Sequence, residues 1–189
     1  MSSPVRCTAA LLLTLAAAVP VFAQDTDQEK IEAALAAAPP EVSAGATVLD
    51  WPSEPGADFR VLREGDNGWS CLPDPPGDDN WEPMCNDAEW MRWFRSYLAG
   101  EEPRTERVGI SYMLNSRWAT SNVDPTASAA TADNMWVEGG AHLMMIVPDE
   151  AMLAQHPSEP GPGPYVMWPG TPWVHLMVPL EELVGHPEH

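Results

Sequence analysis

Positive charge is scarce in this chain. Nine Lys and Arg stand against 28 Asp and Glu, the formal net charge is −19 at pH 7, and Lys30 is the only lysine. A nucleic-acid backbone or an anionic membrane requires clustered cations, so neither is expected as a partner. Long apolar runs are missing too. Beyond Ala9–Val19 no stretch approaches the 18 apolar residues that span a bilayer, so the mature chain is expected to carry no transmembrane segment. There is no Cys-x-x-Cys pair of redox type, no Gly-x-Ser-x-Gly nucleophile elbow and no internal repeat of solenoid length. The acids of the 73–83 stretch do not follow EF-hand spacing and lack its central Gly.

What is present begins with an export signature. Arg6 is the only charge before position 25, Ala9–Val19 is apolar, and Val21-Phe22-Ala23 is a small-x-small cleavage site. Residues 1–23 therefore read as a signal peptide, and 24–189 as a single secreted or periplasmic domain. Cys7 falls within the signal, so two cysteines survive processing, Cys71 and Cys85. An even count in an exported chain predicts one disulfide between them. Nine Trp and 21 Pro point to short packed elements tied by stiff loops.

Periodicity supplies the elements. An i, i+3, i+4, i+7 stripe of Ile31, Ala34, Leu35 and Ala38 predicts a helix over 25–38, capped by Asp25 or Thr26 and ended by Pro39-Pro40. Its narrow, Ala-rich face predicts light packing. Strands are expected at 46–51, 59–63 and 69–71, the first two as a hairpin. Residues 73–83 read as a surface loop. Residues 86–99 read as an amphipathic helix, with Asn86 as cap, an aromatic face of Trp90, Trp93, Phe94 and Tyr97, and Gly100 as stop. A strand follows at 107–114, then a long polar loop at 115–134, and then further strands near 136–148, 165–168 and 173–178. The expected fold class is α+β: an antiparallel or mixed β-sheet with the 86–99 helix packed on one face, plus the N-terminal helix.

One phrase occurs twice. Gly140-Ala-His142-Leu-Met144-Met-Ile-Val-Pro148 and Trp173-Val-His175-Leu-Met177-Val-Pro179 are both apolar and both stopped by Pro. Read as neighbouring strands, each puts its His and its Met on one face. Together with Trp69-Ser-Cys71-Leu-Pro73, Pro83-Met-Cys85 and Met167-Trp-x-Gly170-Thr-Pro-x-x-His175, these phrases resemble a set of exported bacterial proteins of unknown function. That resemblance implies export and a single domain, and nothing about chemistry.

Three function classes follow from the residues. A ligand- or metal-binding protein of the cell envelope is the leading expectation. For metal, His142, Met144, His175 and Met177 offer imidazole and thioether donors suited to copper. For a binding module, Trp81, Trp118, Trp168 and Trp173 near Pro-rich loops are candidate stacking surfaces. A hydrolase is the alternative, with Ser111, Ser116, Ser121 and Thr171 as candidate nucleophiles and Asp50, Asp124 and Asp133 as candidate acids. Whether the chain is an enzyme, and which ligand it takes, stays open at this level.

Overall fold

The structure is a computed structural model that describes residues 26–54 and 56–181. The expected signal segment 1–23 and the C-terminal tail lie outside the described residues. The fold is α+β. Ten strands appear in chain order: β1 (Thr47–Asp50), β2 (Arg60–Arg63), β3 (Ser70–Leu72), β4 (Met84–Asn86), β5 (Gly109–Met113), β6 (Trp118–Ser121), β7 (Trp136–Gly139), β8 (His142–Ile146), β9 (Tyr165–Met167) and β10 (His175–Pro179). Four helices accompany them: α1 (Asp27–Leu35), α2 (Pro40–Ser43), α3 (Ala88–Ala99) and α4 (Glu150–Leu153).

Eight strands form one sheet in the order β2-β1-β3-β4-β5-β8-β10-β9, while β6 and β7 form a separate ribbon. Only β1 and β3 run parallel, so the sheet is mixed. The two His-Leu-Met strands are antiparallel neighbours, with Met144 directly opposite Met177.

Period-two alternation gives the sheet two faces. On the first, Val48, Cys71 and Cys85 pack against Ala34, Ala37 and Ala38. Cys71 and Cys85 are direct cross-strand partners on β3 and β4 and form the expected disulfide. Here the small-residue stripe packs closely rather than lightly: Ala34 and Ala37 are fully buried, because a helix face without bulk can approach the sheet. Pro40 does not merely stop α1; it opens the short α2 as its first residue. At the sheet's other end, Leu153 of α4 covers Val166 and Leu176.

The second face carries α3. Trp90, Trp93 and Phe94 pack with Leu49, Leu72, Met84, Met113 and Ile146. Each buried aromatic contributes roughly 2 kcal/mol or more. The helix cap is Asp87 rather than Asn86, which is the last residue of β4. One oxygen of Asp87 accepts from Trp90 N–H at 2.7 Å and the other from Ile110 N–H at 2.8 Å, so one carboxylate both caps α3 and ties it to β5. The approach is close enough to require Gly109, where a Cβ would lie 2.8 Å from Trp90 N. Gly100 ends the helix at φ 67° as expected.

A charged clamp holds the sheet's β2–β1 edge to α1. Asp50, nearly buried, accepts from Lys30 Nζ at 2.9 Å and from Arg60 at 2.6 Å, and Arg60 also holds Asp27. Burial alone would raise Asp50's pKa, but the hydrogen bonds from Lys30 and Arg60 outweigh it and leave the pKa below the ordinary value. A depressed acid stabilises the fold above its unfolded pKa and loses that stabilisation as pH falls through its folded pKa. Asp50→Asn is expected to cost about 2 kcal/mol at pH 7. Urea unfolding at pH 7 and pH 3 checks this: the gap between variant and wild type narrows at the lower pH.

Candidate functional site

The second face is wider than α3 can cover. The β6–β7 ribbon covers the rest, with Trp118 and Val137 packed on Tyr165, Met167 and Met177. Between α3, the ribbon and the sheet lies a cavity of about 850 Å³. Its floor is the sheet face built by β4, β5, β8, β10 and β9, its wall is aromatic, and its rim includes Asp78, Asp79 and Glu82 from the 73–83 loop. All four sequence-predicted donors, His142, Met144, His175 and Met177, line it.

Antiparallel pairing fixes how those four are arranged. Met144 faces Met177, while His142 faces Pro179 and His175 lies two residues from Met177 in the other direction. The imidazoles therefore flank the methionine pair, with roughly 13 Å of strand length between them. Three further thioethers lie on the same floor, those of Met84, Met113 and Met167. The sequence does not single these out: Met84 and Met167 sit in three-residue strands, too short to show alternation, and Met113 is the last residue of β5.

Both histidines are buried, and burial depresses both pKa values to about 4, so both rings are neutral at pH 7. His142 Nδ1 lies 2.8 Å from the Gly140 carbonyl and His175 Nδ1 3.0 Å from the Trp173 carbonyl. A carbonyl oxygen only accepts, so His175 Nδ1 carries the proton and its Nε2 keeps its lone pair; His142 Nδ1 faces the Trp118 Nε1–H donor at 3.0 Å as well as the Gly140 carbonyl. Among the described residues, buried Nε2 of His175 has no hydrogen-bond partner. Its ring meets Trp90, Trp93 and Trp168 edge-on, with centroids 5.7, 5.7 and 5.0 Å away. His142 sits beside Trp118, whose Nε1–H reaches Gly140 O at 3.1 Å.

The aromatic wall is continuous. Tyr97 stacks on Trp93 at 5.8 Å and on Trp168 at 5.4 Å. Trp168 has φ 55°, a costly conformation for a bulky residue, and two bonds to the end of the ribbon hold it there: Nε1–H to Ser121 O at 2.9 Å and its backbone N–H to Asn122 O at 2.8 Å. Of the four tryptophans singled out from the sequence, Trp118 and Trp168 line the cavity. Trp173 packs edge-on against Tyr97 outside the lining, and Trp81 pairs its backbone with Arg117.

Glu82 is the residue that no sequence pattern marked. Burial first, and then the charges of Asp78 and Asp74, push its pKa up to about 7. Its own charge in turn helps raise the Tyr97 hydroxyl, after burial, and both residues line the cavity.

Four of the hydrolase candidates are occupied otherwise, and Ser111 Oγ is buried without a hydrogen-bond partner among the described residues. Asp50 belongs to the Lys30–Arg60 clamp, and Asp124 caps the turn at Thr126. Ser121 donates to Asn134 O, and Thr171 to Trp168 O. Ser116 Oγ comes within 3.3 Å of His142 Nδ1 but also bonds the Met113 and Gly140 carbonyls, and His142 hydrogen-bonds no carboxylate.

A histidine whose folded pKa is depressed takes its proton first in the unfolded chain. Stability therefore falls as pH drops from 6.5 toward 4, by up to about 1.4 kcal/mol per pH unit for each ring. Urea midpoints measured from pH 7.5 to 4.5 are expected to show this slope, and His175→Leu to flatten it. Because that substitution removes an unpartnered buried acceptor, it is expected to be neutral or stabilising at pH 7.

No family model matches the chain, and none of the curated proteins or solved structures compared with it matches. The geometry of the cavity therefore carries the functional reading.

Proposed function

We propose that this chain is an exported ligand-binding protein whose cavity takes an apolar, ring-bearing small molecule. The observation that carries the reading is the 850 Å³ cavity itself, walled by stacked aromatics and floored by thioethers, with the buried, unpartnered Nε2 of His175 among its lining. Small-molecule sites have this volume and this balance of apolar wall and few polar groups. Export rests on the 1–23 segment and the Cys71–Cys85 disulfide, and no helix of the described residues is long and apolar enough to cross a membrane.

Titration with the neutral apolar fluorophore N-phenyl-1-naphthylamine tests the reading. A saturable 1:1 rise in emission is expected, weakened at least tenfold in Trp168→Ala. Emission that never saturates, or an affinity untouched by that substitution, overturns it.

A second reading is copper binding by His142, Met144, His175 and Met177. One observation favours it: His175 gives Nδ1–H to the Trp173 carbonyl, the arrangement that orients a metal-binding Nε2. The linear spread of the four donors along two strands weighs against a single compact site. Anaerobic Cu(I) titration against a competing chelator decides: a 1:1 complex lost in His142→Ala is the supporting result, and no competition with the chelator rejects it.

A further inference from the structure

Resting on the ligand-cavity reading, we propose that the ligand is an organic cation: a protonated amine on a flat apolar body, its charge met by Glu82 and its body by the Tyr97–Trp168 stack. Three independent features point there.

The first is charge. Asp78, Asp79 and Glu82 line the cavity, and no Lys or Arg is among the described residues that do. The charges acting on Glu82 are those of Asp78 and Asp74, both negative, with Asn80 as its neutral hydrogen-bond partner. The titratable groups that line the cavity from the other elements are Tyr97 on α3, whose pKa is raised, and the two neutral histidines of the floor. An anionic ligand would meet repulsion with nothing to offset it; a cation removes the repulsion already present.

The second is hydrogen bonding. The buried Nε2 of His175 is an acceptor without a donor and lines the same cavity. A protonated amine is rich in N–H donors. Trp90 Nε1–H is the one buried, unpartnered donor among the described lining residues, and it suits a π-face or an ether oxygen on the ligand body.

The third is the wall. Aromatic faces attract cations, by about 2 kcal/mol or more where water is excluded. The Trp93–Tyr97–Trp168 stack and Glu82 line the same cavity.

The loop that carries Glu82 is built in place. The Glu82 N–H donates to Asp74 Oδ1 at 2.6 Å, Asn80 Oδ1 accepts from Ala119 N–H at 3.0 Å, and Trp81 exchanges backbone bonds with Arg117 at 2.7 and 2.8 Å. In the free protein burial and the Asp78 and Asp74 charges favour the protonated form of Glu82. The cation takes that proton's place, and the proton leaves to the buffer.

The test is calorimetry with three matched probes, 2-(1-naphthyl)ethylamine, 2-(1-naphthyl)ethanol and 1-naphthylacetate, at pH 8 and pH 6, in two buffers of different ionisation enthalpy. The amine is expected to bind at least tenfold tighter than the alcohol at pH 8, and the acid weaker than both. From pH 8 to pH 6 the amine's affinity falls about tenfold while the alcohol's is unchanged, and close to one proton is released per amine at pH 6. Glu82→Gln binds the alcohol as before and loses both the amine preference and the proton release. Equal binding of amine and alcohol by the wild type overturns the cation inference and leaves the cavity reading standing. An amine preference that survives in Glu82→Gln overturns the assignment to Glu82. If none of the three binds, both readings fall. The wild-type pH comparison decides even if the variant does not fold.

Discussion

One helix cannot cover an eight-stranded sheet. At about 4.8 Å per strand the face is roughly 34 Å wide, whereas α3, at 12 residues, is about 18 Å long and about 10 Å across. The uncovered part of that face would expose Met167, Met177 and the His142 ring to water. The β6–β7 ribbon lies over it, but a two-stranded ribbon and a helix differ in curvature and cannot meet edge to edge over a twisted sheet. The gap between them is the cavity. Its wall is aromatic because the side chains that bridge such a gap must be long, flat and stackable; Tyr97 and Trp168 reach toward each other from opposite sides and close it.

Burial of polar groups in that gap has a cost that packing elsewhere offsets. An unpartnered imidazole nitrogen costs about 1 to 3 kcal/mol, and a large residue at positive φ a similar amount. Three features of this kind, His175 Nε2, Trp90 Nε1 and the backbone of Trp168, lie at the cavity, while other buried atoms without a partner, such as Ser111 Oγ and Arg63 Nε, lie elsewhere in the fold. By contrast, the α1 side of the sheet has a tightly packed alanine stripe, a disulfide and a compensated charge clamp. Under the proposed ligand-binding reading, the polar atoms left without a partner at the cavity find theirs on the ligand.

The sequence made some of this legible and hid the rest for identifiable reasons. The β8 and β10 strands could be read because each is an uninterrupted apolar run with a Pro stop, and their kinship suggested they would be neighbours. The α3 face could be read because four aromatics recur at helical spacing. The α+β class and the disulfide followed. Strand β6 stayed hidden in the stretch taken as a 115–134 loop: Ala119, Thr120 and Ser121 carry no apolar alternation, and the strand exists through pairing with β7 and through the Asn80 side chain. Strand β4 stayed hidden because Asn86 before a helical stripe reads as a cap, a role that falls one residue later to Asp87. Glu82 could not be singled out, because the field that sets its pKa comes from Asp74 and Asp78, and an acid among 28 becomes distinctive only once burial is known.

The disulfide and the acidic rim belong to one device. Cys71 and Cys85 face away from the cavity, yet they close the loop that bears Asp74, Asp78, Asp79 and Glu82. Two like charges near one half-buried carboxyl would push a free loop outward into water, where the repulsion is screened. Covalent closure at the base, the Trp81–Arg117 backbone pair in the middle and the Asp74 side chain on the Glu82 amide hold the loop against that push. The fold thus keeps a carboxyl in an environment that disfavours its charge. A proton or a positively charged group relieves that repulsion, so under the proposed cation reading the sulfur–sulfur link on one face of the sheet supports charge recognition on the other.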